Sequence, residues 1–154
     1  MKRSLAAACW MLALLAANPA YAQQQGLQQA IKAYVSKQGP LGAKPTQVMA
    51  DLDGDGRPEA IVTFCVDESA PGGKMEGANN PASVHCTLAV FKQTKDRWAF
   101  VAKIDLGQGE LREIKGGKIK VETLTYSPND PLCCPSQKRV AAFELKGGKL
   151  IPAR

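Results

Sequence analysis

Aromatic residues make up only 6% of this 154-residue chain, and it carries a single histidine, His85. So few rings argue against a platform on which nucleic-acid bases could stack. No run of five or more basic residues exists. Lysines recur singly or in pairs, as at Lys115, Lys118, Lys120, Lys146 and Lys149, so the net charge of +6 is spread out and the sequence speaks against a nucleic-acid partner. No Cys-x-x-Cys occurs and no histidine lies near Cys133-Cys134, which removes the usual support for redox or soft-metal chemistry there. His85 directly precedes Cys86 in a strand-like stretch, so the two point to opposite faces and form no dyad. Glu110, Glu113 and Glu122 recur at strand spacing and read as a solvated face, with no pair singled out for glycosidase chemistry. The sequence therefore offers no catalytic constellation.

Long apolar runs are also missing, with one exception at the start. Lys2 and Arg3 precede an apolar stretch from Leu5 to Ala17, and Ala20-Tyr21-Ala22 is a small-x-small cleavage signal. Residues 1–22 read as a secretory signal peptide, and the mature chain is expected to begin at Gln23. The stretch is shorter than the ~20 residues that span a bilayer, and no later segment reaches that length, so no transmembrane segment is expected after cleavage. Cys9 lies inside the first half of the apolar core, which is the wrong place for a lipid-modified cysteine. Cleavage removes Lys2, Arg3 and Cys9. It leaves 132 residues, 18 basic against 14 acidic side chains for a charge of +4, and four cysteines. An even cysteine count in an exported chain points to disulfides, and this length suits one domain, residues 23–154. The modest positive charge serves solubility, with weak attraction to an anionic envelope polymer as the sharper reading.

The mature chain opens with helical periodicity. Leu27, Ala30, Ile31, Tyr34 and Val35 share one face over residues 25–38, Gln28, Gln29, Lys32 and Lys37 occupy the other, and Gly39-Pro40 ends the pattern. The period then changes to two. Strands are expected over 46–50, 60–66, 84–92, 97–106, 111–115, 118–126, 138–146 and 149–152. Val84, Cys86, Leu88 and Val90 fall on one side of the third strand, and Trp98, Phe100, Ala102 and Ile104 on one side of the fourth. Two turns repeat Lys-Gly-Gly-Lys, at 115–118 and 146–149, and Gly-Gly supplies the positive φ values of two-residue hairpins. The expected fold class is α+β, with one N-terminal amphipathic helix packed on a mostly antiparallel meander of about seven to eight strands. Residues 68–82 and 127–136 are rich in turn formers and read as long loops, the usual carriers of binding.

Between the first two strands stands Asp51-Leu52-Asp53-Gly54-Asp55-Gly56-Arg57-Pro58-Glu59. Carboxylates at loop positions one, three and five can converge on a hard cation, the carbonyl of Arg57 can serve at position seven, and Glu59 stands at nine. Val62 occupies the twelfth position, where an EF-hand needs a bidentate glutamate, and the flanks are β-like, so this is not an EF-hand. Asp and Gly also favour a plain turn. Four carboxylates in nine residues repel one another, however, and a cation relieves that cost. A flexible all-oxygen loop suits calcium better than magnesium. Lone extracellular sites of this kind bind at about 10⁻⁴–10⁻³ M, which fits a structural ion.

The D-x-D-x-D-G-x-x-E pattern between two strands resembles the calcium loops of integrin-type FG-GAP and VCBS repeats. The resemblance covers Val48 to Cys65. Those repeats come in series and build propellers; this chain has one copy, so neither a propeller nor an adhesive role carries over. The pairing of Asp51–Ala60 with Cys133-Cys134-Pro135-Ser136 is also similar to a set of small exported bacterial proteins, some of them lipoproteins of the LppP/LprE type. That resemblance implies a periplasmic or secreted location and no particular activity.

The four remaining cysteines permit three pairings. A Cys65–Cys86 bridge staples the loop between them and is the favoured one. It leaves Cys133 and Cys134 to pair with each other or to stay reduced, while the alternative crosses Cys65 and Cys86 to Cys133 and Cys134. The sequence as a whole reads as an exported, disulfide-bonded, non-enzymatic binding or accessory protein of the bacterial envelope. Its expected calcium ligands are Asp51, Asp53, Asp55, Arg57 and Glu59, and its partner an unidentified protein or envelope polymer. The rivals are an inhibitor or interaction module acting through residues 68–82 or 127–136, and a small hydrolase built around His85.

Overall fold

A computed structural model describes residues 19–74, 76, 84–95, 97–131 and 134–153. The expected signal peptide and Cys9 fall largely outside these residues, as do Cys133 and part of the loop at 68–82. One helix and eight strands are described: α1 (Pro19–Val35), β1 (Thr46–Ala50), β2 (Glu59–Asp67), β3 (Val84–Thr94), β4 (Arg97–Gly107), β5 (Glu110–Lys115), β6 (Lys118–Thr125), β7 (Gln137–Lys146) and β8 (Lys149–Pro152). The class is α+β, with one helix packed on a mostly antiparallel sheet. No helix among the described residues is long and apolar enough to cross a membrane.

The helix starts earlier than the sequence periodicity indicates and ends at Val35 rather than 38. Residues 36–38 form a turn closed by Ser36 N–H to Lys32 O and Gln38 N–H to Val35 O, ahead of Gly39. Strand bounds agree with the sequence reading to within two residues. Both Lys-Gly-Gly-Lys turns are hairpins in which the two glycines have positive φ, from 56° to 75°, the conformation that matches the twist of the flanking strands.

The connectivity is not a simple meander. The order is β1-β2-β3-β4-β6-β7-β8, with β5 pairing only β6. All pairs are antiparallel except β4–β6, which meet in parallel at Gly107 and Leu124. The chain turns away from β4 at Gly107 instead of folding back along it, so β5–β8 form a second half laid over the first. Side-chain alternation then sorts two cores. Ile61, Leu88, Val90, Ile104, Leu106, Ile119, Val121 and Leu145 fill the space between the halves. On the opposite face of β2 and β3, Leu27, Ile31 and Val35 of α1 pack on Ala60, Val62, Phe64, Ala89 and Phe91. Strands β2 and β3 are thus covered on both sides, which is why β2 reads as a nearly unbroken apolar run.

One expected alternation is overturned. Trp98 and Phe100 do not share a face with Ala102 and Ile104. Val90 pairs with Ala102 while the neighbouring Phe91 pairs with Phe100, so the register shifts by one residue at Val101. This β-bulge reverses the parity of the strand. Ala102 and Ile104 enter the core between the halves, whereas Trp98 packs on the helix side. Phe100 stacks on Tyr34 of α1 with centroids 4.4 Å apart, and Tyr34 also meets Phe91 edge-on at 5.6 Å.

Cys65 and Cys86 face each other in the β2–β3 ladder and are disulfide-bonded. Cys134 is disulfide-bonded too. The Cys65–Cys86 bridge spans 21 residues of sequence, so replacing both cysteines by alanine is expected to lower unfolding free energy by about 3 kcal/mol on the chain-entropy account. Phe91 has no exposed surface, and Phe91→Ala is expected to cost about 3–5 kcal/mol. Urea denaturation of each variant against the parent checks both values.

Candidate metal centre

The aspartate loop joins β1 to β2, closing a hairpin whose last pair is Ala50 with Glu59. Its conformation rests on its own carboxylates. Asp51 accepts hydrogen bonds from Gly54 N–H at 2.8 Å and Gly56 N–H at 3.0 Å, and Asp55 accepts from Arg57 N–H at 2.8 Å. Gly54 and Gly56 both take positive φ, 77° and 80°, with open space where a Cβ would stand, so backbone conformation and not crowding selects glycine there. Leu52 is the anchor of the loop. Its side chain is buried in the core between the two halves, and its carbonyl abuts Gly117 at the tip of the β5–β6 hairpin, where a Cβ would come within 3.1 Å.

Glu59 begins β2 and is completely buried. Its Oε2 accepts Leu52 N–H at 2.9 Å. Its Oε1 has no hydrogen-bond partner, although the Lys92 ammonium stands 3.5 Å away, within ion-pair range. A buried carboxylate oxygen without a donor is costly, and burial accordingly holds the Glu59 pKa above its ordinary value. Oxygens of Asp51, Asp53 and Glu59 lie within 4.8 Å of one another, close enough to hold one metal ion. Two residues of the expected set stand differently. Asp55 is outside this triad and turns its Oδ2 to Lys92 at 2.9 Å. Arg57 is placed through its N–H, bonded to Asp55.

Lys92, read in the sequence only as the end of the third strand, is the central charge of the site. Its ammonium is ion-paired with Asp53, Asp55 and Glu59 at once. Hydrogen bonds to Asp53 and then Asp55 raise its pKa well above the usual lysine value, and the bond from Lys92 is the main cause of the lowered pKa of Asp55. The position follows from register: Ala60 pairs with Phe91, so the next step along the ladder sets Glu59 against Lys92. A signal was present in the sequence. Lys92 continues the alternation of Cys86, Leu88 and Val90, a charge where the pattern calls for an apolar side chain.

The other expected features are placed as follows. His85 Nε2 lies 2.6 Å from Asp105 Oδ1, and both side chains are well exposed. They line a shallow depression of about 240 Å³ with Glu68, Lys74, Thr87 and Lys103. Cys86, the neighbour of His85, is taken up in its disulfide with Cys65. Glu122 does not belong to a solvated face. It is buried to 9% exposure and ion-paired to Arg112 at 2.7 Å and Lys138 at 3.3 Å, because a bulge in β5 and the β6–β7 ladder bring those cations onto it. In the second long loop the carboxylate of Asp130 gathers Ser127 N–H, Ser136 N–H and Ser136 Oγ, at 2.6 to 2.7 Å. No protein-family model, curated protein or solved structure matches the chain.

The backbone bond from Ser127, followed by the bonds from Ser136, lowers the Asp130 pKa below 3.8. The ionised form is the one held in the folded state. Its contribution to stability is therefore complete above the unfolded value and is lost as pH falls through the folded one. Amide exchange at Ser127 and Ser136 is expected to be slow at neutral pH and to accelerate in acid once intrinsic rates are corrected for. Asp130→Ala is expected to show the fast behaviour already at pH 7, and equal protection in parent and variant would contradict this account.

Proposed function

We propose that this chain is an exported, disulfide-bonded, non-enzymatic binding or accessory protein of the bacterial envelope, stabilised by one calcium ion in the β1–β2 loop. The observation that carries the metal reading is the buried Oε1 of Glu59, which lacks a hydrogen-bond partner beside Asp51 and Asp53. Orphaned buried oxygens are rare in folded proteins, and a hard cation bound by three carboxylates is the partner this one calls for. Asp51, Asp53 and Glu59 form the heart of the ligand set, and Asp55 and the Arg57 carbonyl complete it. An all-oxygen set in a glycine-containing loop favours calcium over magnesium, which demands a stricter octahedron. The resemblance of the loop to FG-GAP and VCBS calcium loops supports the same reading.

Export rests on the pattern of residues 1–22, with Gln23 as the first mature residue and residues 23–154 as one domain. The Cys65–Cys86 disulfide is in keeping with an oxidising compartment, periplasmic or secreted. The ion serves to stabilise an already folded hairpin, since one site of this kind binds too weakly for sensing at low calcium. A second reading, contact with another protein through residues 127–136, is favoured by Tyr126, which is 48% exposed at the foot of that loop.

Thermal unfolding of residues 23–154, oxidised, in millimolar calcium and then in excess chelator tests the metal reading. At ten times its dissociation constant a ligand that binds only the folded state adds about 1.4 kcal/mol, a rise of several degrees in Tm. Asp53→Asn is expected to abolish the calcium-dependent part of the rise. Lowering pH through the carboxylate range is expected to abolish it as well, because protonated ligands no longer bind. The same Tm in calcium and chelator at neutral pH would reduce the loop to a turn.

A further inference from the structure

We infer that Lys92 is a built-in competitor for the cation site, an ammonium that occupies the place of the metal in the calcium-free protein and must leave when calcium enters. This inference rests on the calcium reading above and adds the residue that sets the affinity of the site.

The geometry makes the two cations alternatives. Lys92 Nζ is ion-paired to Asp53 and stands 2.9 Å from Asp55 Oδ2 and 3.5 Å from Glu59 Oε1. Asp53 and Glu59 are two of the three carboxylates whose oxygens converge closely enough for a metal. A calcium ion needs its oxygens at about 2.3–2.6 Å, so it would draw on two of the three carboxylates that Lys92 holds, Asp53 and Glu59, in overlapping space. It also adds two positive charges where one already stands, and at such short range like charges repel strongly. Both cannot be seated at once. The lysine is held ready by the fold: its stem lies along the row of Cys86, Leu88 and Val90, its side chain is mostly buried, and β-sheet register sets it against Glu59. The buried Oε1 is the second, independent sign that the arrangement is incomplete. Lys92 approaches it at ion-pair distance but leaves it without a hydrogen bond. An ion coordinated there satisfies it fully.

Two properties follow. The calcium-free protein keeps a folded loop, because the ammonium neutralises carboxylates that otherwise repel one another. Calcium binding is weakened by the work of displacing the lysine, which places the site in a range suited to calcium-rich surroundings.

Calcium titration calorimetry on residues 23–154, parent and Lys92→Met, tests the inference. Methionine keeps the apolar stem and removes the charge. The variant is expected to bind calcium at least about tenfold more tightly, because no positive charge has to be expelled, and to melt at a lower temperature than the parent in chelator. Calcium binding by the parent with no tightening in Lys92→Met would overturn competition and leave the calcium site standing. No binding by either protein would bring down the calcium reading and this inference together. Should Lys92→Met fail to fold, the parent alone suffices. Amine acylation read by mass spectrometry is expected to modify Lys92 several-fold faster in calcium than in chelator, with Lys120 and Lys149 as unchanged references. Equal Lys92 reactivity in the two conditions, in a protein that binds calcium, would overturn the displacement.

Discussion

The buried carboxylate of Glu59 is the constraint around which this end of the molecule is organised. One oxygen ties the loop to the strand through Leu52 N–H, and the other stands 3.5 Å from the Lys92 ammonium without a hydrogen bond. A charge removed from water at 0% exposure is tolerated only when paired. Every neighbouring feature serves that requirement. Leu52 pins the loop into the core, Asp51 folds the loop back through Gly54 and Gly56, and Lys92 brings the nearest cation. The tip of the β5–β6 hairpin closes over the Leu52 carbonyl, so the second half of the fold also bears on the site.

The layering explains how a short loop can be held so firmly. Strands β2 and β3 are buried on both faces, by α1 on one side and by β5–β8 on the other. They form a stiff central pair, further joined by the Cys65–Cys86 bridge. Glu59 and Lys92 stand at one end of this pair, where the strands emerge from the core. Ligands supplied from such a rigid base need little further ordering to meet an ion, whereas ligands on a free loop must first be fixed in place. In the proposed exchange of the Lys92 ammonium for a metal ion, the groups that would move are side-chain termini and not strands.

Polar networks elsewhere follow a similar logic on a smaller scale. Glu122 is held between Arg112 and Lys138 across three strands, and Asp130 organises the loop around it with three hydrogen bonds. Each is a carboxylate placed where donors converge, and each keeps its pKa low. Among the carboxylates of the described residues with a shifted pKa, Glu59 alone is pushed the other way, because its burial outweighs the donors it has. That contrast singles out Glu59 even from Asp55 of the same loop, whose pKa is lowered by Lys92.

Much of this was written in local chemistry. The helix face of Leu27, Ile31 and Val35, the eight strands, the two Gly-Gly hairpins, the Asp51–Glu59 loop and the favoured Cys65–Cys86 pairing could all be read from periodicity, turn residues and spacing, because each depends on residues close together in the chain. What tertiary structure alone decided lies across longer separations. The bulge at Val101, the parallel meeting of β4 with β6, the ion pairs of Glu122 and the seating of Lys92 among Asp53, Asp55 and Glu59 all depend on strand register. Register between β2 and β3 is set across an intervening loop by the packing of two cores, and a shift of one residue reverses every side chain. The sequence could therefore name the acidic residues of the loop, and only the folded sheet could show which cation stands among them.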